Sequence, residues 1–162
     1  MDLKPEVKQA LIDMNFVEQF KKLSEDYAAD VVPYNERIDD SNVDRIIQAV
    51  KRLGYSATYN KREHFFVIVF KDSSVASLNF RLHLSLRDGF VELIWGVMYN
   101  GEVLLGDPLS YVSMLIDEKA SVIPFPAVLS YEELEEVLKI NFDMFKQFQN
   151  LLITHYEQEE KQ

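Results

Sequence analysis

Strict alternation of apolar and polar side chains over residues 78–87 is the pattern that most constrains the fold of this chain. Five apolar residues point one way and five polar residues point the other: Leu78, Phe80, Leu82, Leu84 and Leu86 against Asn79, Arg81, His83, Ser85 and Arg87. A period of two indicates a strand with one face in the core and one in water. The Asp88–Gly89 pair that follows is a strong hairpin signal, so a return strand is predicted over residues 90–99.

Turn signals on both sides extend this hairpin into a meander. Asn100–Gly101 predicts another hairpin with a strand over residues 102–105. Upstream, residues 55–60 and 64–71 read as two more strands, and the second is apolar on both faces, which predicts a central position. About five antiparallel strands joined by short turns are therefore expected.

Helical periodicity precedes the predicted sheet. One helix is predicted from Pro5 to Tyr27, because proline suits the first helical position and apolar residues recur at helical spacing. A second helix is predicted from a capping box at Ser41 and Asp44 to a stop at Gly54. The stretch between the two loses its periodicity and reads as a connection.

Two more helices are predicted after the sheet. Asp107 and Pro108 resemble the N-cap and first residue of a short helix, and Ser130 with Glu133 forms a capping box for a long final helix. The last six residues are expected to fray. The chain is thus predicted to be a single α+β domain over 1–162, with a helical part (1–54), an antiparallel sheet (55–105) and C-terminal helices (107–158) packed on the leucine-rich face.

Composition and missing motifs exclude several classes of protein. The chain has no cysteine, which excludes disulfides, thiolate metal sites and a cysteine nucleophile. It contains no glycine-rich phosphate loop and no HExxH, and its three histidines lie on different predicted elements, so no metal or cofactor is predicted. No apolar run approaches the roughly 18 residues of a membrane span, and the first residues lack the apolar core of a signal peptide. A cytoplasmic protein with no membrane partner is expected.

Charge points away from nucleic acid and toward a basic protein partner. The formal net charge is −10, whereas phosphate binding is driven by Lys and Arg. Residues 24–44, here called the acidic loop, hold seven acids and a single base, Arg37. We predict that this loop docks a basic partner through its carboxylates and interleaved tyrosines: Asp26, Tyr27, Asp30, Tyr34, Glu36, Asp39 and Asp40. A solvated connection without a binding role is the alternative.

The polar face of the central hairpin is the other place where chemistry is conceivable. Arg81, His83 and Arg87 project from one strand, and Glu92 is expected nearby on the next. A histidine oriented by a carboxylate performs acid–base work near neutral pH. The alternative is the ordinary wet face of an antiparallel strand, and no catalytic residue is assigned.

The second face of the predicted strand 90–99 is also largely apolar, with Phe90, Ile94 and Met98 on it. It should therefore be covered by the first helix, by a partner chain or by a ligand. Gly96 on the same face removes a side chain and permits a close approach of another backbone.

The C-terminal third carries a resemblance to a known group of proteins. Gly106 and Pro108 lead into a short helix, Asp117 follows, and then come the Pro124–Pro126 loop and the Ser130–Leu134 start of the last helix. The run over residues 106–152 is similar to the ending of immunity proteins from bacterial polymorphic-toxin and contact-dependent inhibition systems. The resemblance implies a cytosolic protein that neutralises a cognate toxin by tight binding, without chemistry of its own. The resemblance does not indicate which residues of this chain contact a toxin.

Two further functions remain open from the sequence. A secretion-chaperone-like binding protein would use the final helix as a homodimer seam, since Ile140, Met144 and Leu151 widen its apolar face. Its sheet would usually be interrupted by a helix, which the predicted meander is not. A small enzyme or ligand-binding domain would use Arg81, His83 and Glu92, beside a concave pocket.

Overall fold

A single antiparallel sheet carries the fold, with its strands in chain order. The computed structural model describes residues 2–70 and 74–162. The strands are β1 (Ala57–Asn60), β2 (Phe65–Phe70), β3 (Leu78–Arg87), β4 (Phe90–Tyr99) and β5 (Glu102–Leu105). Each strand pairs antiparallel with the next. The predicted α+β class and five-stranded meander are confirmed.

Strand β2 is the one whose position differs from the prediction. It lies second from the edge, and β3 occupies the centre. The buried side of β2 is fully apolar, but its other side is only half-buried and leaves Val69 exposed. The apolar residues on both faces of β2 therefore belong to one buried face and one partly exposed face. Lys71, the predicted end of this strand, lies outside the described residues.

The hairpin between β3 and β4 forms as its turn residues require. Asp88 and Gly89 both have positive φ, 52° and 79°, the backbone of a two-residue turn that matches the twist of the strands. The register sets Leu82 opposite Trp95 and Leu84 opposite Leu93. The apolar residues of both strands therefore meet on the inner face of the sheet.

The predicted first helix is two helices. They are α1 (Pro5–Asp13) and α2 (Phe16–Asp26), separated at Asn15, whose φ of 56° is left-handed. Asparagine tolerates this conformation better than most residues. The apolar spacing continues across the break, which is why periodicity alone missed it.

The other helices begin close to the predicted residues, with two corrections. Helix α3 (Val43–Arg52) is capped by Asn42, whose side chain accepts from the Arg45 amide at 3.3 Å, and not by Ser41. Helix α4 (Leu109–Ile116) begins after Pro108, one residue later than predicted, with no side-chain cap.

Helix α5 (Tyr131–Glu160) crosses the inner face of the sheet. Its predicted cap is present, because Ser130 Oγ accepts from the Glu133 amide at 3.1 Å. The Trp95 ring stacks on Phe145 and Phe148, with centroids 4.8 and 5.5 Å away. The helix continues to Glu160, whereas the last six residues of the chain were predicted to fray.

The first helix does not cover the second face of β4, which stays partly open with Ile94 half-buried and Met98 exposed, and residues 108–127 instead close the strand's edge. Strand β5 pairs with β4 only as far as Val97. Beyond that point Pro108 bridges to Ile94 and Ala127 bridges to Phe90. The remaining edge of β4 is thereby closed, which removes a site for unwanted strand pairing.

Candidate functional site

Arg37 fixes the backbone of the acidic loop by three hydrogen bonds. Its Nε donates to the Val32 carbonyl at 3.1 Å, its Nη2 to the Ala29 carbonyl at 2.6 Å and its Nη1 to the Asp88 carbonyl at 3.2 Å. The first two bonds close the loop on itself, and the third ties it to the β3–β4 turn. The single base of the loop is therefore part of its internal structure.

Aromatic rings and a glycine surround the Arg37 side chain. Its Cζ is 5.0 Å from the centroid of Phe90 and 5.5 Å from that of Tyr34, which is cation–π range. Gly89 lies against the aliphatic part, so that a Cβ added there would overlap Arg37. The turn that the sequence predicts as a hairpin is also the contact site for the acidic loop.

A second pair of contacts joins the acidic loop to the proline-aromatic segment before α5. The Ala127 amide donates to the Tyr27 carbonyl at 3.0 Å, and the Ile38 amide donates to the Val128 carbonyl at 3.1 Å. These long-range backbone bonds leave no sequence signal. They connect the predicted binding loop to the region that carries the family resemblance.

Two of the predicted contact residues are engaged at the start of α5 and the end of α2. The Tyr27 hydroxyl donates to Glu136 at 2.7 Å. Burial, followed by this bond, raises the pKa of Tyr27 to about 12. Asp26 pairs with Lys22 at 2.7 Å on the surface of α2. Neither group is free in the way that the sequence interpretation assumed.

Asp39 and Asp40 hold the far end of the loop. Asp39 Oδ1 accepts from the Ser41 amide at 2.9 Å, and hydrogen bonds from Ser41 lower the Asp39 pKa. Asp40 Oδ2 accepts from the Tyr59 hydroxyl at 2.8 Å and is 3.7 Å from His64 Nδ1. Both carboxylates therefore bind neighbouring groups of the chain as well as facing solvent.

The residues left outermost are an apolar and aromatic pair with carboxylates beside them. Val31 is 75% exposed and Tyr34 is 66% exposed, and Asp30 and Glu36 are exposed next to them in sequence. The Tyr34 hydroxyl is 3.3 Å from Asp88 Oδ1. Val31 and Asp88 belong to this surface although sequence reasoning did not nominate them; Asp88 signalled only a turn.

No similar protein suggests a role for the acidic loop or for the outer face of the sheet. The chain matches no protein-family model, no curated protein and no solved structure.

On the outer face of the sheet, the predicted Arg81, His83 and Glu92 cluster does not form a hydrogen-bonded group. His83 lies opposite Ile94, while Glu92 lies opposite Ser85. The His83 ring stacks on Phe65 with centroids 4.9 Å apart. Among residues 2–70 and 74–162, no hydrogen bond joins His83 to Glu92. Within the described residues, no carboxylate is therefore hydrogen-bonded to the His83 ring.

The three side chains of that cluster instead line an open groove. Its larger part is a cavity of about 490 Å³ that includes Arg81, His83 and Ile94. A smaller part of about 350 Å³ continues from His83 and Ile94 to Glu92 and Ser110. The concave pocket expected for a ligand-binding domain is present.

Burial shifts the pKa values of two groups in the groove, His83 and Glu92, toward favouring their neutral forms. Burial, and secondarily the charge of Arg81, lowers the pKa of His83. Burial raises the pKa of Glu92, partly offset by Arg87. Desolvation is the common cause, because it disfavours whichever form carries the charge.

Neither a clustered metal-ligand set nor a membrane-spanning helix is found among residues 2–70 and 74–162. No group of three or more His, Asp or Glu side chains there is placed to hold a metal ion. No helix within those residues is long and apolar enough to cross a bilayer.

The apolar arc considered as a dimer seam on α5 is narrower than predicted. Met144 is buried in the core, whereas Ile140 and Leu151 are exposed. Two of the three residues are therefore on the surface.

Proposed function

We propose that this chain binds a basic protein partner through the exposed part of the acidic loop. The observation that carries the proposal is the bonding of Arg37, which fixes the loop from Ala29 to the β3–β4 turn while Val31 and Tyr34 stay exposed. A loop held in place before binding loses less conformational freedom when the partner arrives. Exposed aromatic side chains supply contact area, and carboxylates speed the encounter with a basic protein.

The contact set is narrower than the one predicted from sequence. Val31 and Tyr34 are the central contacts, with Asp30 and Glu36 as the charged rim. Tyr27, Asp39 and Asp40 hold the loop in shape through Glu136, Ser41 and Tyr59. Asp26 contributes charge from the end of α2.

The most concrete form of this function is an immunity-type inhibitor that neutralises a basic toxin by tight binding. The resemblance of residues 106–152 supports it, and the proline-aromatic segment of that region bonds directly to the acidic loop at Tyr27 and Ile38. A net charge of −10 suits a basic toxin, because opposite charge raises the association rate. Inhibition by occlusion needs no catalytic group.

The test is capture of the partner from the organism that makes this chain, followed by growth rescue. Tagged wild-type protein and a Tyr34→Ala/Glu36→Lys variant are used as baits, and the proteins retained only by wild type are identified. The gene of the retained protein is then expressed in a susceptible host with and without this chain. We expect one basic protein whose expression stops growth, and restoration of growth by wild type but not by the variant.

A retained protein that is acidic, or whose toxicity is relieved equally by the variant, would contradict the proposal. A variant with Glu159→Lys is the matched control, since it changes the charge of an exposed residue near the end of α5. It should capture the partner and restore growth as wild type does.

A further inference from the structure

The groove on the outer face of the sheet has the features of a small-molecule site, separate from the acidic loop. Its two parts share His83 and Ile94 and run along β4 from Gly96 to Glu92. Four residues of strand correspond to about 13 Å. Ligand cavities are typically clefts of about 300–1,000 Å³ with mostly apolar walls and a few polar groups, and each part falls within that range.

The walls of the larger part are apolar around one cation. Met98 and Val103 are both exposed on this face, and Ile94 forms the floor. Gly96, opposite Arg81, has no side chain to fill the space above the strand. Exposed apolar residues grouped beside a pocket are a common mark of a binding site.

Arg81 supplies the positive charge of the larger part. No carboxylate among the described residues makes a salt bridge with its guanidinium. A guanidinium presents a planar set of donors that matches a carboxylate in two parallel hydrogen bonds. The cation therefore selects the sign and shape of the head group that the groove accepts.

The smaller part supplies a second polar contact. Ser110 lines it and is 3% exposed, and its hydroxyl has no hydrogen-bond partner among residues 2–70 and 74–162. Buried hydroxyls are normally bonded. A polar group entering this part of the groove would supply the partner, with Glu92 beside it.

We propose that the groove binds a small amphipathic organic carboxylate, with its head group on Arg81 and its apolar body over Gly96, against Ile94 on one side and Met98 and Val103 on the other. Charge complementarity at Arg81 sets the anionic head, and the apolar walls set the body. A hydrogen-bonding group at the far end of a longer ligand would reach Ser110 and Glu92.

Naphthaleneacetate and its neutral analogue naphthaleneacetamide test this directly. Each is titrated into isotopically labelled protein, and backbone amide shifts are followed by heteronuclear NMR. We expect saturable shifts centred on residues 94–98 and 81–83, with the carboxylate binding roughly tenfold more tightly than the amide, as a charge-assisted hydrogen bond predicts. Arg81→Gln should remove that difference, and Arg62→Gln on the exposed β1–β2 turn should preserve it.

A second variant covers the case in which Arg81→Gln perturbs the fold. Gly96→Val places a branched side chain in the groove at a position with ordinary strand backbone, and it should abolish binding of both probes while the protein stays folded. Absence of saturable shifts with wild type, equal affinity for the two probes, or shifts centred away from β3 and β4 would overturn the proposal.

Discussion

The indole Nε1 of Trp95 donates a 3.0 Å hydrogen bond to Oδ1 of Asn141 in the middle of the core. Both residues are fully buried, so water does not reach the indole N–H when the asparagine is removed. In Asn141→Ala the indole N–H loses its acceptor and a cavity opens beside it. We expect the free energy of unfolding to fall by about 2–4 kcal/mol, measured by urea denaturation.

Asn150→Ala on the exposed side of the same helix is the control for this change, and it should stay within about 0.5 kcal/mol of wild type. Equal effects of the two substitutions would show that the buried bond contributes nothing beyond helix propensity.

Alanine substitutions at Gly89 and Gly101 distinguish the effect of backbone strain from the effect of disturbing Arg37, which anchors the acidic loop. Both have left-handed backbone, φ 79° and 77°, but an added Cβ overlaps Arg37 only at Gly89 and meets nothing within 4 Å at Gly101. Alanine costs about 1–2 kcal/mol of strain at either position. Gly89→Ala should in addition accelerate hydrogen–deuterium exchange over residues 29–38, and Gly101→Ala should not. The same exchange in both variants would contradict the anchoring role of Arg37.

Ionisation of Tyr27 makes the free energy of unfolding depend on pH in the alkaline range. Its folded-state pKa of about 12 lies above the ordinary value of 10.0, first because of burial and then because of the hydrogen bond to Glu136. The contribution of a group with a raised pKa is complete below pH 10 and is lost as the pH rises toward 12. Tyr27→Phe should therefore flatten the loss of stability between these values, measured by urea denaturation across the range. Tyr111→Phe, on the exposed side of α4, should leave the slope unchanged.

Glu6 gives the corresponding dependence at acidic pH. Burial acts to raise its pKa, but the 2.7 Å hydrogen bond from Tyr156, a backbone hydrogen bond and the charges of His155 and Lys4 outweigh burial and lower it. A lowered pKa contributes stability above the ordinary value of 4.5 that disappears as the pH falls through the folded-state value. Tyr156→Phe should weaken the loss of stability below pH 4.5. An unchanged acid limb would show that the bond does not favour ionised Glu6.

The sheet was predictable because its signals are local. The alternation over residues 78–87 and the Asp88–Gly89 and Asn100–Gly101 turns act between neighbours in sequence. The Ser130 cap acts over three residues. The break at Asn15 was not predictable, because apolar residues keep helical spacing on both sides of it and one asparagine does not distinguish a turn from a helical position.

The candidate site depends on contacts between distant parts of the chain, and these leave no pattern in a single sequence. Charge located the acidic loop, but it could not separate the exposed Glu36 from Asp40, which accepts from Tyr59. Nor could it show that Arg37 bonds to the Asp88 carbonyl. The pairing of His83 with Ile94 is different, because it follows from the register of the predicted Asp88–Gly89 turn, which already places Glu92 opposite Ser85.

The affinity of the purified partner for three versions of this chain tests the central claim most directly. Isothermal titration calorimetry compares wild type, Glu36→Lys and Glu159→Lys, the last two having the same net charge. We predict at least a tenfold loss of affinity for Glu36→Lys, and a larger loss when Tyr34→Ala is added. Glu159→Lys should bind like wild type. Equal affinities for Glu36→Lys and Glu159→Lys would show that the partner does not bind at the acidic loop.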